Sequence, residues 1–191
     1  QRKEGIKIWY LLSCKRQEEQ KLLTICRENL PKKVLHGAFV LTYDKMRRYE
    51  GVWHLERKLL FPECIFLESE QEEALAKELI RCGYFAGITE QKDCLIPVGR
   101  EEKEFLRRLC GKERHLGMSR GIICKGVPQI TEGPLKGMEN RILRIDRHKR
   151  LARVEIAGKP DVSVCLKQRM EAGTKMKPEY RYIPAGLEIT G

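Results

Sequence analysis

The pattern of hydrophobic residues changes at Gly111, and this change limits the folds open to the chain. Before Gly111, strand-like runs rich in β-branched and aromatic residues alternate with segments whose apolar residues recur at helical spacing. The predicted order there is β-α-β-β-β-α-β-α, which favours a mostly antiparallel sheet flanked by helices. After Gly111, short alternating runs are separated by turn residues, a pattern typical of a small β-barrel. The predicted fold class is therefore α+β.

The polar segment 112–123 separates these two parts. Its sequence, KERHLGMSRGII, shows no clear periodicity, so we interpret it as a linker. About ten extended residues can separate two domains by roughly 35 Å, because each residue spans at most ~3.3–3.6 Å. The predicted organisation is an N-terminal domain at 1–111, a linker at 112–123, and a small barrel with an atypical C-terminal tail at 124–191.

The N-terminal domain carries local start and stop signals. Ser69, with Glu72 three residues later, predicts a capping box at the start of a helix. Gly83 predicts the end of that helix, because glycine readily adopts the left-handed conformation found there. Glu50-Gly51, between two strand-like runs, predicts a hairpin turn.

The positive charge of the chain is concentrated in its second part. The formal net charge is +11, of which residues 111–191 hold +8 from 17 basic and 9 acidic residues, and residues 1–110 hold +3. A basic region of this size indicates a polyanionic partner such as nucleic acid. A merely solubilising surface is the alternative interpretation.

Six fixed cations occupy the thirteen positions 141–153, with Asp146 as the single carboxylate. In the run LARVEI, Ala152 and Val154 alternate with Arg153, so one face of a strand is predicted to be buried and the other exposed. The segment DRHK, ending at Lys149, is predicted to form the tip between two strands. We therefore expect four residues to project together into solvent beside Arg153, namely Arg147, His148, Lys149 and Arg150.

Several classes of function lack the residues they need. The four histidines are scattered without a motif-spaced nucleophile or carboxylate, and no phosphate-binding loop or dinucleotide fingerprint is present. The eight cysteines form no Cys-x-x-Cys pair. We therefore expect no enzymatic activity, no catalytic residue, no metal site and no cofactor. The cysteines are expected to be free thiols in a reducing cytoplasm.

The sequence also predicts no membrane partner. No apolar run approaches the ~20 residues that a membrane helix needs, and no signal-peptide hydrophobic region begins the sequence.

Motifs spread over residues 5–170 resemble the NusG family of transcription elongation factors, which join an N-terminal NusG domain to a KOW domain with an SH3-like barrel. The motifs are Trp9-Tyr10 on the first strand, ERKLLFP at 56–62, Pro97 before an acidic helix, and GPLKG at 133–137. The segment GPLKGMENRILRIDRHKRLARVEI is most similar to the LoaP-type subgroup of specialised antiterminators.

The chain also departs from the family pattern. Glu63 and Cys64 follow Phe61-Pro62 where the family has glycine and tyrosine. Pro128 lacks a backbone donor and predicts an edge strand or a distorted one. The segment GLEI in the tail resembles the last barrel strand of the family, as though some twenty residues were inserted before it.

The resemblance implies a cytoplasmic bacterial monomer that promotes readthrough of terminators, with RNA polymerase and a nascent RNA hairpin as partners and DNA near the transcription bubble as a further one. It implies contacts to the polymerase clamp helices through Trp9, Tyr10 and Phe61. Strand alternation prevents Trp9 and Tyr10 from facing the same way, and we favour Tyr10 and Phe61 as the exposed contacts. The residues expected to bind RNA are Arg141, Arg144, Arg147, His148, Lys149, Arg150 and Arg153.

Two alternatives share the same motifs. One is a general NusG-type elongation factor without RNA selectivity, whose KOW domain contacts other proteins. The other is a ribosomal or ribosome-assembly KOW protein, which would explain the charge but not the N-terminal α+β domain.

Overall fold

The computed structural model describes residues 5–83, 95–156 and 182–190. These residues form twelve strands and three α-helices. The helices are α1 (Glu19–Asn29), α2 (Glu72–Arg81) and α3 (Arg100–Cys110). The strands are β1 (Ile8–Ser13), β2 (Gly37–Phe39), β3 (Thr42–Tyr49), β4 (Val52–Leu59), β5 (Cys64–Ser69), β6 (Leu95–Pro97), β7 (His115–Leu116), β8 (Ser119–Cys124), β9 (Val127–Glu132), β10 (Ile142–Asp146), β11 (Leu151–Glu155) and β12 (Tyr182–Thr190).

The described residues divide into two compact units. The first unit comprises residues 5–40, 61–83 and 95–100, and the second comprises 41–60, 101–156 and 182–190. The β3–β4 hairpin and nearly all of α3 therefore group with the predicted barrel strands, although the sequence placed them in the N-terminal domain. The division of the chain at 111 and 123 stays a prediction.

The first unit contains a four-stranded sheet in the order β2-β5-β1-β6, in which every neighbouring pair is antiparallel. The apolar run LLFPECIFLE at 59–68 contains most of β5, which lies in the interior of this sheet. One face of the sheet packs against α1 and α2, and residues alternate between the two faces because side chains of a strand point in opposite directions. Tyr10 and Leu12 belong to the core on the helical side, together with Leu22 of α1 and Leu75 of α2.

The capping box predicted at Ser69 is wrong. Helix α2 begins at Glu72 with Gln71 as its N-cap, and no side chain caps its first turn. The Ser69 hydroxyl instead accepts a hydrogen bond from the backbone N–H of Gln71 at 3.1 Å, because Ser69 still belongs to β5. At the other end, Gly83 has a φ of 68° and donates to the carbonyl of Ile80, which confirms the predicted stop.

In the second unit, the β3–β4 hairpin turns at Glu50-Gly51, as predicted. The short strand β7 pairs in parallel with β3. His115 of β7 lies between two polar groups of β3, with Nδ1 2.8 Å from the Thr42 hydroxyl and Nε2 2.9 Å from the Asp44 carboxylate. Seven of the twelve residues in the segment interpreted as a linker are therefore in strands, because their backbone and side-chain polar groups find partners on β3 and β12.

The second sheet of this unit has the order β10-β11-β12-β8-β9 and forms the curled, half-barrel arrangement expected of a KOW domain. Strand β12, which contains GLEI, joins the two halves by pairing antiparallel with β11 and parallel with β8. Pro128 lies in the edge strand β9, as its missing donor requires. Two further strand-like runs of the sequence, YFAGI at 84–88 and DVSVCLKQ at 161–168, lie outside the described residues. The predicted α+β class is confirmed.

Gly186 sets the closest approach of β12 to β3. A Cβ atom placed on Gly186 would lie 2.5 Å from the carbonyl oxygen of Asp44 and would also collide with the sulfur of Met118. Only glycine allows this approach, because it has no side chain. The β3–β4 hairpin is thereby held against the outer face of the barrel sheet, which brings its tip towards the basic turn of β10 and β11.

Candidate nucleic-acid interface

The basic hairpin consists of β10, β11 and the turn 147–150 between them. The Asp146 carboxylate accepts a hydrogen bond from the backbone N–H of Lys149 at 2.9 Å, and the Arg150 N–H donates to the Arg147 carbonyl at 3.3 Å. Arg150 closes the turn with a φ of 50°, a left-handed conformation that is uncommon outside glycine. The prediction that this segment is the tip between two strands is confirmed.

Most residues that were expected to bind RNA are accessible. Five of the seven are exposed, namely Arg144, Arg147, His148, Lys149 and Arg153. Arg141 and Arg150 are partly buried. A cluster of like charges repels itself, so the exposed part of this hairpin is a surface that a polyanion would stabilise.

Arg144 and Arg153 lie on the same side of the sheet. They are directly opposite each other on β10 and β11, and opposite residues of an antiparallel pair project from the same face. Ala152 and Val154 are fully buried, so the two arginines point away from the barrel core. The guanidinium carbon of Arg153 lies 4.7 Å from the ring centroid of Tyr182 on β12. Two cations and an aromatic ring therefore share one face, the combination that phosphates and unstacked bases favour.

Arg150 does not project into solvent as the sequence predicted. Its Nη1 lies 2.7 Å from Oε1 of Glu188, and its guanidinium carbon lies 4.2 Å above the Trp53 ring. Its side chain is 26% exposed. The pattern of the turn placed it at the tip, but its left-handed backbone directs it back to β12 and the β3–β4 hairpin. The charge of Arg150 therefore mainly stabilises the fold through Glu188 and Trp53.

Arg141 is also held by the protein. It lies in the 3₁₀ turn Glu139–Arg141 before β10, and its guanidinium carbon is 5.3 Å from the Phe105 ring of α3. An arginine that stacks on an aromatic ring keeps its charge but loses much of its freedom to reorient. We therefore place Arg141 at the margin of the interface.

Asp146 is the acidic residue next to the turn, and its environment keeps it ionised. The backbone N–H of Lys149 lowers the pKa of the Asp146 carboxyl, and the positive charges of Lys149, His148 and Arg144 lower this pKa further. The Lys149 ammonium lies 3.8 Å from this carboxylate. Asp146 thus shapes the turn and offsets part of the local positive charge.

The aromatic residues expected to contact polymerase lie in the first unit on two different faces. Trp9 packs edge-on against Phe39 and Phe66, with centroids 4.9 and 5.8 Å away. Phe61 packs edge-on against Phe66 at 5.5 Å. These four residues form an aromatic cluster on the face opposite α1 and α2. The Trp9 indole N–H donates to the Glu68 carboxylate at 2.7 Å.

The expectation that Tyr10 and Phe61 are exposed contacts is wrong for this structure. Tyr10 is 1% exposed and lies beneath the helices, where burial, with a smaller contribution from Glu72, raises the pKa of its phenol. Phe61 is 5% exposed and Trp9 is 3% exposed. The predicted alternation of Trp9 and Tyr10 across the sheet is correct. However, Tyr10, which we favoured over Trp9, faces the core beneath α1 and α2.

No family model matches the chain, and no curated protein matches it. Among solved structures, the chain is similar to one described as "Domain interaction in Thermotoga maritima NusG", with a TM-score of 0.53 and 17% sequence identity. The alignment covers 96% of this chain and 94% of that chain. The fold is NusG-like.

In this NusG-like chain the sequence missed several residues of the interface. Trp53 and Arg48 lie on the β3–β4 hairpin, which sequence reasoning assigned to the other domain. Tyr182 lies in the tail whose role the sequence left open. The aromatic residues were visible as residue types, but their distance from the basic run in sequence concealed their proximity to it.

The metal-binding capacity, the cysteines and the helix lengths of the described residues also bear on function. Among the residues described, no group of histidine, cysteine and acidic side chains could hold a metal ion. Of the described cysteines, Cys14, Cys26, Cys64 and Cys110 are buried, Cys82 is partly buried and Cys124 is exposed. No helix in the ranges given above is both long and apolar enough to cross a membrane.

Proposed function

We propose that this protein is a transcription elongation factor that binds RNA polymerase through its first unit and nascent RNA through its basic hairpin, and so promotes readthrough of terminators. The NusG-like fold over 96% of the chain supports the polymerase part. The observation that carries the RNA part is the Arg144–Arg153 pair on one exposed face. Like charges placed directly opposite on a sheet destabilise it, so such a pair favours an anionic partner.

The RNA contact is primarily electrostatic. Four fixed cations remain exposed in the basic hairpin after Arg141 and Arg150 are set aside: Arg144, Arg147, Lys149 and Arg153. If each neutralises a phosphate with a slope of ~0.7, raising salt from 50 to 200 mM weakens binding roughly fiftyfold. Arginine can also stack on unpaired bases, which hairpin loops provide.

We propose the aromatic cluster of Trp9, Phe39, Phe61 and Phe66 as the polymerase contact. Aromatic anchors in a desolvated pocket carry most of the energy of many interfaces. Because Trp9 and Phe61 are nearly fully buried, these rings must become accessible before they can bind a partner. We infer that the polymerase-bound protein exposes this cluster.

Polymerase binding is tested with the full chain and purified bacterial RNA polymerase. We expect the wild type to bind a fragment that contains the clamp helices, and Phe61→Leu to bind several-fold more weakly. Ile80→Ser is the matched control, because Ile80 is an exposed apolar residue of α2 outside the aromatic cluster. Circular dichroism of each variant separates lost binding from lost folding. Absence of wild-type binding to the clamp helices would overturn the proposal.

The RNA part is tested by single-round transcription across a terminator preceded by a candidate leader hairpin. We expect the wild type to increase readthrough on that template, and the double variant Arg144→Gln/Arg153→Gln to lose most of the increase. The control Lys32→Gln/Lys33→Gln removes the same amount of charge from exposed positions of the first unit. This variant should retain the increase in readthrough. Equal readthrough with and without the leader would indicate a general elongation factor. Co-purification with ribosomal subunits rather than polymerase would indicate a ribosomal protein.

A further inference from the structure

A groove with a volume of about 580 Å³ lies between the tip of the β3–β4 hairpin and the basic turn. Arg48 and Trp53 are cross-strand partners and line one wall from the same face of the hairpin. The opposite wall comes from the basic turn, and the end of β12 completes the groove. Its lining residues are Arg48, Trp53, Arg147, His148, Arg150, Glu188, Ile189 and Thr190.

The groove is positively charged. Glu188 is its acidic lining residue, and this carboxylate is already occupied by Arg150 at 2.7 Å and by Arg120 at 3.8 Å. Arg48 and Arg147 are exposed and come from two different hairpins. Cations that converge on a concave surface from two elements concentrate positive potential there and favour an anionic ligand.

Arg150 and Trp53 lie together in the lining of the groove. Arg150 lies over the Trp53 ring at 4.2 Å and is anchored by Glu188, so its orientation is preset. Trp53 remains partly exposed. Aromatic rings and guanidinium planes are the groups on which proteins stack unpaired bases of RNA, and flanking cations bind the adjoining phosphates. The volume lies in the range of pockets that hold small ligands, so an unpaired nucleotide has room to enter.

We propose that this groove binds an unpaired nucleotide of RNA, with the base stacked against the Trp53–Arg150 pair and its phosphates held by Arg48 and Arg147. This proposal rests on the proposed function for its ligand, and it adds the β3–β4 hairpin as a second RNA-binding element. A fully paired duplex cannot place a base in the groove. The site therefore selects RNA hairpins that have a loop, a bulge or a single-stranded flank.

The affinity test uses the full-length protein and a fluorescently labelled RNA hairpin with an unpaired flank, measured by anisotropy at several salt concentrations. We expect Arg48→Gln to weaken binding several-fold and to reduce the salt slope by about 0.7, the value for one lost phosphate contact. Arg47→Gln is the matched control: Arg47 is also exposed, but it lies on the other face of β3, where Glu56 is 3.6 Å away. It should bind like the wild type.

Tryptophan fluorescence provides a second readout. The chain has two tryptophans, and Trp9 is buried in the first unit, so a change on adding RNA reports mainly on Trp53. We expect the flanked hairpin to quench the tryptophan fluorescence of the wild type but not that of Trp53→Phe. A blunt duplex of equal length should quench the wild-type fluorescence much less. Thermal unfolding of Trp53→Phe checks that it remains folded, and Arg48→Gln tests the groove without altering the stack.

The outcomes separate this inference from the proposed function. If the wild type binds the hairpin and Arg144→Gln/Arg153→Gln weakens it, but Arg48→Gln binds like Arg47→Gln without tryptophan quenching, the groove proposal is overturned and the proposed function stands. If the wild type binds no RNA at 50 mM salt, the RNA part of the proposed function fails and the groove proposal fails with it. Equal affinity for the flanked hairpin and the blunt duplex also overturns the groove proposal.

Discussion

The Arg150 guanidinium lies 4.2 Å above the Trp53 ring, although 97 positions separate the two residues in sequence (150 minus 53). The same guanidinium is 2.7 Å from Glu188. These contacts join the basic turn, the β3–β4 hairpin and β12. An arginine that the sequence placed among the RNA contacts is therefore mainly a structural residue.

Replacing Arg150 by glutamine should lower the free energy of unfolding by about 1–2 kcal/mol. The variant loses a cation–π contact worth up to ~2 kcal/mol when desolvated and an ion pair worth up to ~1 kcal/mol. Urea unfolding measures the change. Arg144→Gln is the control and should be neutral or slightly stabilising, because Arg144 is exposed opposite another arginine. Equal stabilities of the two variants would show that the stack contributes nothing.

Replacing Gly186 by alanine should destabilise the protein by about 1–3 kcal/mol, the usual cost of overpacking. The added methyl group would lie 2.5 Å from the Asp44 carbonyl oxygen, so β3 and β12 must move apart. Gly99→Ala should have little effect, because no heavy atom lies within 4 Å of a Cβ at that position. Unchanged urea midpoints for both variants would contradict the close packing of β3 on β12.

Cys26 and Cys110 should resist alkylation by iodoacetamide at pH 8, whereas the exposed Cys124 should react. Burial, with a smaller contribution from Cys82, raises the pKa of Cys26 to about 12, and burial raises the pKa of Cys110 to about 12. Mass spectrometry of peptides from native and urea-unfolded protein measures the labelling. Native labelling of Cys26 at the rate of Cys124 would show that it is not buried.

The same thiols have a consequence for stability at alkaline pH. An unfolded thiol ionises near pH 8.5, whereas the folded thiols stay protonated until about pH 12. The unfolded state therefore binds fewer protons between these values, and stability falls as pH rises through this window. Cys26→Ala should reduce this slope of unfolding free energy against pH.

Asp146 should contribute to stability at neutral pH but not in acid. Its pKa is lowered by the Lys149 backbone N–H and the neighbouring cations, so its contribution is present above the unfolded value of ~3.9 and is lost as pH falls through the folded value. We expect Asp146→Asn to unfold at a lower temperature than the wild type at pH 6. The two melting temperatures should converge as the pH falls through the folded pKa of Asp146. A difference that persists in acid would mean that the effect of the substitution is not electrostatic.

Much of the local structure could be predicted because it depends on neighbouring residues. The turn at 147–150, the glycine stop at Gly83 and the edge position of Pro128 follow from backbone preferences that act within a few residues. The capping box failed because Ser69 is fully buried at the end of β5, where pairing with Ile8 fixes its backbone. The preference of a residue for a helix cap has no effect when the residue is already paired in a strand.

The candidate sites show the same division. Alternation predicted that Trp9 and Tyr10 face opposite sides of their strand, but it could not say which side α1 and α2 would cover. The charge pattern predicted an exposed basic hairpin, but it could not show that Arg150 would be withdrawn towards Glu188. Both outcomes depend on elements that are far away in sequence.

The sequence by itself determined the α+β class, the alternation of buried and exposed residues in each strand, and the concentration of positive charge around residues 141–153. These properties depend on the period and chemistry of nearby residues. Only the tertiary structure decided that β3 and β4 pack on the barrel, that Trp53 meets Arg150, and that Tyr10 is core rather than surface. Those facts depend on close approaches such as that of Gly186 to Asp44, which arise between distant segments and leave no periodic pattern in the sequence.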